Sequence, residues 1–246
     1  EYVHKNAIDG FVGWPAHFKN YQFVPREKTW KDGVRLRRDF HMKLKRKIGS
    51  AKKVLDIVNR IVVDFGGIRK PYKLENVQAM QAALVILFNE ANNPKLFEES
   101  IAGLFSFTPT HRIPSNSKIY ETFEPNKWTI YDSRLSIALV CLVHHYWKEK
   151  GRQMKPELLR FPIAVGRDLR HPYPKEFPVV TTPKQSALAF VYASWLLRKV
   201  AEILRSNPKY GDPPTMKHPE RWSPLDANWA VYHVEMALWM LGDKNF

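Results

Sequence analysis

One cysteine, Cys141, among 246 residues excludes an internal disulfide and any zinc or iron–sulfur site built on several thiolates. No apolar run approaches the roughly 18 residues of a membrane span; the longest candidate is residues 137–143. Metal spacings are also missing. His144 and His145 are adjacent, so they project to different sides of a helix, and His111, His171, His218 and His233 are scattered. No metal or other cofactor is therefore expected. There is no Gly-x-Ser-x-Gly elbow, Walker loop or Gly-x-Gly-x-x-Gly fingerprint, which removes the usual supports of serine-hydrolase, nucleotidase and dinucleotide chemistry. Strand signals are sparse: residues 128–131 and 179–182 are β-like but too few to build a sheet.

Acidic residues are scarce relative to basic ones, 24 against 39, leaving a formal charge of +15. The excess is uneven. Residues 1–73 hold 18 Lys and Arg against 7 Asp and Glu, residues 74–151 hold 7 against 8, and residues 152–246 hold 14 against 9. A basic stripe attracts polyanions by counterion release, largely without regard to base sequence. Nucleic acid is the favoured partner, although membrane surfaces and other polyanions are served by the same charge.

What is abundant is helical periodicity. Leu36, Phe40, Leu44 and Ile48 recur every four residues, with Arg35, Arg37, Arg38, Lys43, Lys45, Arg46 and Lys47 between them, which predicts an amphipathic helix with a basic outer face. Val54, Leu55, Val58, Ile61 and Val62 predict a second helix stopping at Phe65-Gly66-Gly67. Further helices are expected over 74–89, 96–105, 132–148, 184–204 and 226–241, the one at 132–148 being the most apolar and hence central. Six prolines between 153 and 183 forbid a long helix there and predict a wrapping loop; residues 207–224 read as a proline-rich turn region. The fold class is mainly α. With 44% hydrophobic residues, one domain over 1–246 can bury a substantial core.

Two short segments carry the chemistry. Ser115-Asn116-Ser117-Lys118-Ile119-Tyr120 places a lysine where a helix is expected to open, with Ser115 or Asn116 as N-cap. Lys127-Trp128-Thr129-Ile130-Tyr131-Asp132-Ser133-Arg134 then brings an aspartate, by an extended approach, to the head of the apolar helix. This arrangement resembles the helix-hairpin-helix DNA glycosylases of the 8-oxoguanine type. More narrowly, Ser117-Lys118, Ile130-Tyr131-Asp132-Ser133-Arg134 and Glu235-Met236-Ala237-Leu238 look like a bacterial group with the 8-oxoguanine glycosylase fold. Two departures stand beside that likeness. Residues 111–117 contain no glycine where the family's hairpin has Gly-x-Gly, and Lys118 lies closer to Asp132 in sequence than the family's lysine lies to its aspartate.

The resemblance implies a two-lobed helical DNA glycosylase-like fold with its cleft near residues 105–140. It also implies base excision: a modified base is flipped out and its N-glycosidic bond cut, in repair or in defence against phage DNA. Asp132 and Lys118 are then the candidate catalytic residues. Breaking that bond creates positive charge on the sugar, which a desolvated carboxylate stabilises. A neutral lysine could attack the anomeric carbon and form a Schiff base, adding abasic-site lyase activity. Its ordinary pKa of about 10.4 must first fall toward about 7–8. Burial and neighbouring cations lower it, whereas Asp132 raises it. Arg112, Ser115, Asn116, Ser117, Arg134, Lys43, Lys45, Arg46 and Lys47 are candidate DNA contacts, and Phe105, Phe107, Trp128 and Tyr131 candidate walls for the flipped base.

A plainer reading of the same residues makes Asp132 only a helix cap, worth about 1 kcal/mol, and the basic face only solvated. A non-catalytic nucleic-acid-binding protein on the same scaffold is therefore the alternative, and a structural or regulatory helical protein a third. The expected partner is DNA and not a membrane, the expected state a cytoplasmic monomer.

Overall fold

The structure, a computed structural model, describes residues 7–8, 11–20, 29–47, 49–65, 71–89, 113–149, 161–164, 172–211 and 228–244. Among these residues the chain is mainly helical. Eight α-helices follow a short antiparallel pair, β1 (Ala7–Ile8) and β2 (Phe11–Val12): α1 (Trp14–Lys19), α2 (Trp30–Lys47), α3 (Ala51–Asn59), α4 (Leu74–Asn89), α5 (Ile113–Phe123), α6 (Ser133–Glu149), α7 (Pro183–Ser206) and α8 (Val231–Lys244). No described helix is long and apolar enough to cross a membrane.

Helix α8 is the hub, packing against α6, α1 and α7. Its sequence explains why: Val231, Val234, Met236, Ala237, Leu238, Met240 and Leu241 bury every side of the helix, so it must be surrounded. Helix α2 crosses α5, and α5 also packs on α7. The expected α2 stripe is buried at Phe40 and Leu44 and half-buried at Leu36, with Val34 added to it, and α3 buries Val54, Ile57 and Val58 before passing into a π-helical stretch, Arg60–Phe65. Residues 183–206 begin with a capping box: Thr182 accepts from the Gln185 amide, and the Gln185 side chain accepts from the Thr182 amide. The last helix starts at Val231, later than the periodicity predicts, and His233 accounts for its start. Its Nδ1 accepts the Ala230 N–H at 3.1 Å, satisfying an amide that the first turn leaves open. The helix expected over 96–105 lies outside the described residues, as does Ile48. Of the two β-like segments, 128–131 forms no regular secondary structure, while Val179 makes a lone parallel bridge to Ile163.

Burial also fixes the protonation of His233, whose pKa drops to about 3. A folded-state value below the ordinary 6.5 means that the unfolded chain binds the proton first. Stability is thus retained above pH 6.5 and lost as pH falls toward 3. Replacing His233 by Gln should therefore remove on the order of 3 kcal/mol of the stability lost between pH 7 and pH 4.5. Denaturant midpoints measured at pH 7 and pH 4.5 check this, and equal pH sensitivity in the variant would contradict it.

Helices α8 and α6 approach closely at Gly242. A Cβ there would lie 1.9 Å from the Arg134 carbonyl oxygen and 2.6 Å from its carbon, so α8 meets the first turn of α6 backbone to backbone. Gly242→Ala should cost about 3 kcal/mol, at the upper end for overpacking and far beyond the roughly 1 kcal/mol gained in helix propensity. A thermal midpoint unchanged from wild type would show that the two helices separate freely.

Candidate active site

Three helices converge on the segment 128–131. Three consecutive backbone N–H groups each find a side chain from a different helix. Thr129 N–H donates to Ser194 Oγ of α7 at 3.3 Å, Ile130 N–H to Glu235 Oε2 of α8 at 3.4 Å, and Tyr131 N–H to Ser117 Oγ of α5 at 3.0 Å. A buried segment outside any helix or sheet would otherwise leave these donors unsatisfied in the core. The segment is thereby fixed, and it delivers Asp132 to the head of α6. There Oδ1 accepts the amides of Arg134 and Leu135, at 3.0 and 3.1 Å, as a helix cap.

The other carboxylate oxygen faces the lysine. Lys118 Nζ lies 3.8 Å from Asp132 Oδ2, and both side chains keep a small contact with solvent, 10% and 15% exposed. The two candidate catalytic residues are thus brought together. The lysine arrives by a different route from the one expected, because α5 begins at Ile113. Lys118 sits in the second turn and does not open the helix, and neither Ser115 nor Asn116 is an N-cap.

Behind the pair lies a fully buried ionic group. Arg37 Nε donates to Glu121 Oε1 at 3.1 Å, and Arg37 Nη2 to Glu235 Oε1 at 3.4 Å, with side chains no more than 1% exposed. Helices α2, α5 and α8 are joined through this one guanidinium. Beside it, His41 Nδ1 is 3.0 Å from the Thr122 carbonyl, a second tie between α2 and α5. Burial pushes the Glu235 carboxyl up to about 8, against the pull of Arg37 and with a further push from Glu121. Burial likewise lowers the Lys118 ammonium, outweighing the opposing attraction of Asp132 and Glu235. A Glu235 carboxyl whose pKa is raised in this way holds the lysine cationic less strongly, so both shifts favour a neutral amine.

The remaining candidates divide. Ser115, Asn116 and Ser117, expected at DNA, are buried in α5, where Ser117 holds Tyr131 and Asn116 accepts from the Tyr72 hydroxyl. Trp128 and Tyr131, expected against a flipped base, belong to the core. Trp128 stacks on Phe190 at 5.3 Å, and the Tyr131 hydroxyl donates to the Pro162 carbonyl at 2.5 Å. Arg134 lies over the Trp239 ring at 4.5 Å. Lys45, Arg46 and Lys47 are exposed at the end of α2, with Lys43 beside them; Lys43 pairs with Asp39 at 2.6 Å and Lys45 with Glu124 at 3.3 Å. Arg112, Phe105 and Phe107 lie outside the described residues.

No protein-family model, curated protein or solved structure matches the chain. The site's meaning therefore rests on its own chemistry. Arg37, Glu121 and His41 were not among the expected site residues, and Arg37 was placed on the basic outer face of α2. Its register corrects that placement: Val34, Arg37, His41 and Leu44 follow the 3-4-3 spacing of the buried stripe. Glu235 had a signal too, as the lone carboxylate within the apolar run 229–241.

Proposed function

We propose that the protein is a DNA glycosylase that excises a modified base, with Asp132 stabilising the charged sugar and Lys118 as the nucleophile. The observation that carries this reading is the 3.8 Å approach of Lys118 Nζ to Asp132 Oδ2 in a site where burial lowers the ammonium's pKa. As the C1′–N bond breaks, its electron pair leaves with the base and positive charge develops over C1′ and the ring oxygen. Asp132 Oδ2 faces that charge while Oδ1 remains engaged with the α6 amides, so the carboxylate needs no reorganisation during the step. The neutral Lys118 amine then adds to C1′, loses a proton, and opens the sugar to an imine, the entry to strand scission. Incubation with duplexes carrying different modified bases tests this by mass-spectrometric detection of free base. Release from at least one is expected, and release from none would remove the reading.

A second reading, a non-catalytic DNA-binding protein, is favoured by the burial of Trp128 and Tyr131, which leaves both candidate rings committed to the core. Both readings use the exposed basic end of α2, where Lys45, Arg46 and Lys47 also complement the helix dipole. Arg46→Gln and Lys47→Gln are each expected to reduce the salt dependence of DNA binding by about 0.9 in log–log slope. Lys43→Gln should change it less, since Asp39 already balances that charge. Fluorescence anisotropy at several salt concentrations measures the slopes; unchanged slopes would place the DNA elsewhere.

A further inference from the structure

We propose that a hollow between α7 and the turn before Trp128 is a nucleotide-binding site, which takes a single nucleotide by its phosphate at one end and its ring at the other. The inference does not depend on glycosylase activity. The hollow encloses about 370 Å³, within the range of roughly 300–1,000 Å³ typical of small-ligand sites and at its lower end. That size suits one nucleotide better than a dinucleotide.

Its wall is one face of α7. Trp195, Arg198, Glu202 and Arg205 follow 3-4-3 spacing, a stripe of about 15 Å at the helical rise. Lys199 adjoins them and pairs with Glu202 at 2.8 Å, so the two guanidiniums remain as the excess charge and an anion complements them. The two arginines are held in place. Arg198 lies over the Trp128 ring at 5.4 Å, and Arg205 Nη1 donates to the Trp229 carbonyl at 3.0 Å, which fixes one edge of its guanidinium. A guanidinium so oriented can present a fork to phosphate oxygens.

The other end suits a flat, hydrogen-bonding ring. Trp195 offers a half-buried indole, and such rings stack on any base. Asn126 brings its side-chain amide to the same hollow, and an amide can both donate to and accept from a base edge. The small Ala201 side chain forms part of the floor and leaves room for the occupant.

The site adjoins the candidate active site through shared elements. Asn126 lies on the stretch that runs on to Asp132, and Val231, which also lines the hollow, is one turn before Glu235 on α8. An occupant would therefore press on the two elements that position the Lys118–Asp132 pair. Its source could be a free nucleotide or one nucleotide of a DNA strand, since both offer the same phosphate and base.

Calorimetric titration with deoxyadenosine monophosphate, and separately with deoxyadenosine and with inorganic phosphate, tests the proposal. We expect the nucleotide to bind at least tenfold tighter than either half. Arg198→Gln and Lys199→Gln should each weaken it several-fold; Lys199 is 62% exposed, so that variant folds whatever Arg198 does for Trp128. A single-stranded oligonucleotide that competes with the mononucleotide, and loses that competition in the same two variants, assigns the site to a strand. A mononucleotide that binds without such competition assigns it to a free nucleotide. Absence of binding by mononucleotide and strand alike, or binding equal in wild type and both variants, overturns the proposal. Neither result depends on base release, so a failure here is separable from a failure of the glycosylase reading.

Discussion

Asp132→Asn should lower base release by about a thousandfold, on the scale of removing one preorganised electrostatic group from a transition state, while leaving the fold intact. The amide oxygen of the variant can still accept the Arg134 and Leu135 N–H groups, so the α6 cap survives. What is lost is the negative charge at Oδ2, 3.8 Å from Lys118 Nζ. The same change has a second, opposite consequence for the lysine. Asp132 is the strongest of the neighbours that raise the Lys118 pKa, so its neutralisation should lower that pKa further. The variant should therefore form a Schiff base with a preformed abasic site at a lower pH than wild type, although it no longer releases base. Lys118→Gln gives the reverse pattern: no adduct at any pH, with slow base release through water. Equal base release by Asp132→Asn and wild type would reduce Asp132 to a helix cap.

Arg37→Met is the variant with the largest expected loss of stability, about 3–5 kcal/mol. The guanidinium is the positive member of a buried group with two carboxylates, and its removal strands Glu121 and Glu235 in the core. In a chain of this size such a loss lowers the thermal midpoint by on the order of 10 °C. Combining Arg37→Met with Glu121→Gln and Glu235→Gln should restore much of it, because neutral amides need no counter-charge. A full loss in the triple variant would mean that Arg37 acts by packing its alkyl chain and not by balancing charge. Site and stability meet in this cluster, since Glu235 also receives the Ile130 N–H and so positions the segment that carries Asp132.

Periodicity alone made most of the helices legible. Leu74–Asn89 falls where the apolar spacing places it, and α6 and α7 begin within a residue of their predicted starts. The order Lys118 then Asp132 pointed to one site, and the side chains do meet. The start of α5 was misjudged for a physical reason: Ser115 and Asn116 are good caps, but Asn116 accepts from the buried Tyr72 hydroxyl and the neighbouring Ser117 holds the 128–131 segment, which draws this stretch inside the helix. Arg37 was hidden by composition. Surrounded by Arg35, Arg38 and Lys43, it reads as one more surface cation, and only a partner 84 residues away on α5 and another 198 residues away on α8 make its burial tolerable. Such pairing is invisible to any local window. The aromatics failed in the opposite direction, since nearness to Asp132 in sequence placed Trp128 and Tyr131 beneath the site and not in it.

The most direct measurement is borohydride trapping on a duplex with a single abasic site, followed by peptide mass spectrometry of the covalent adduct. Because burial lowers the Lys118 pKa, the adduct should form at a lower pH than an exposed lysine would require and map to Lys118 alone. An adduct on another lysine, or none at any pH at which the protein stays folded, would contradict the account.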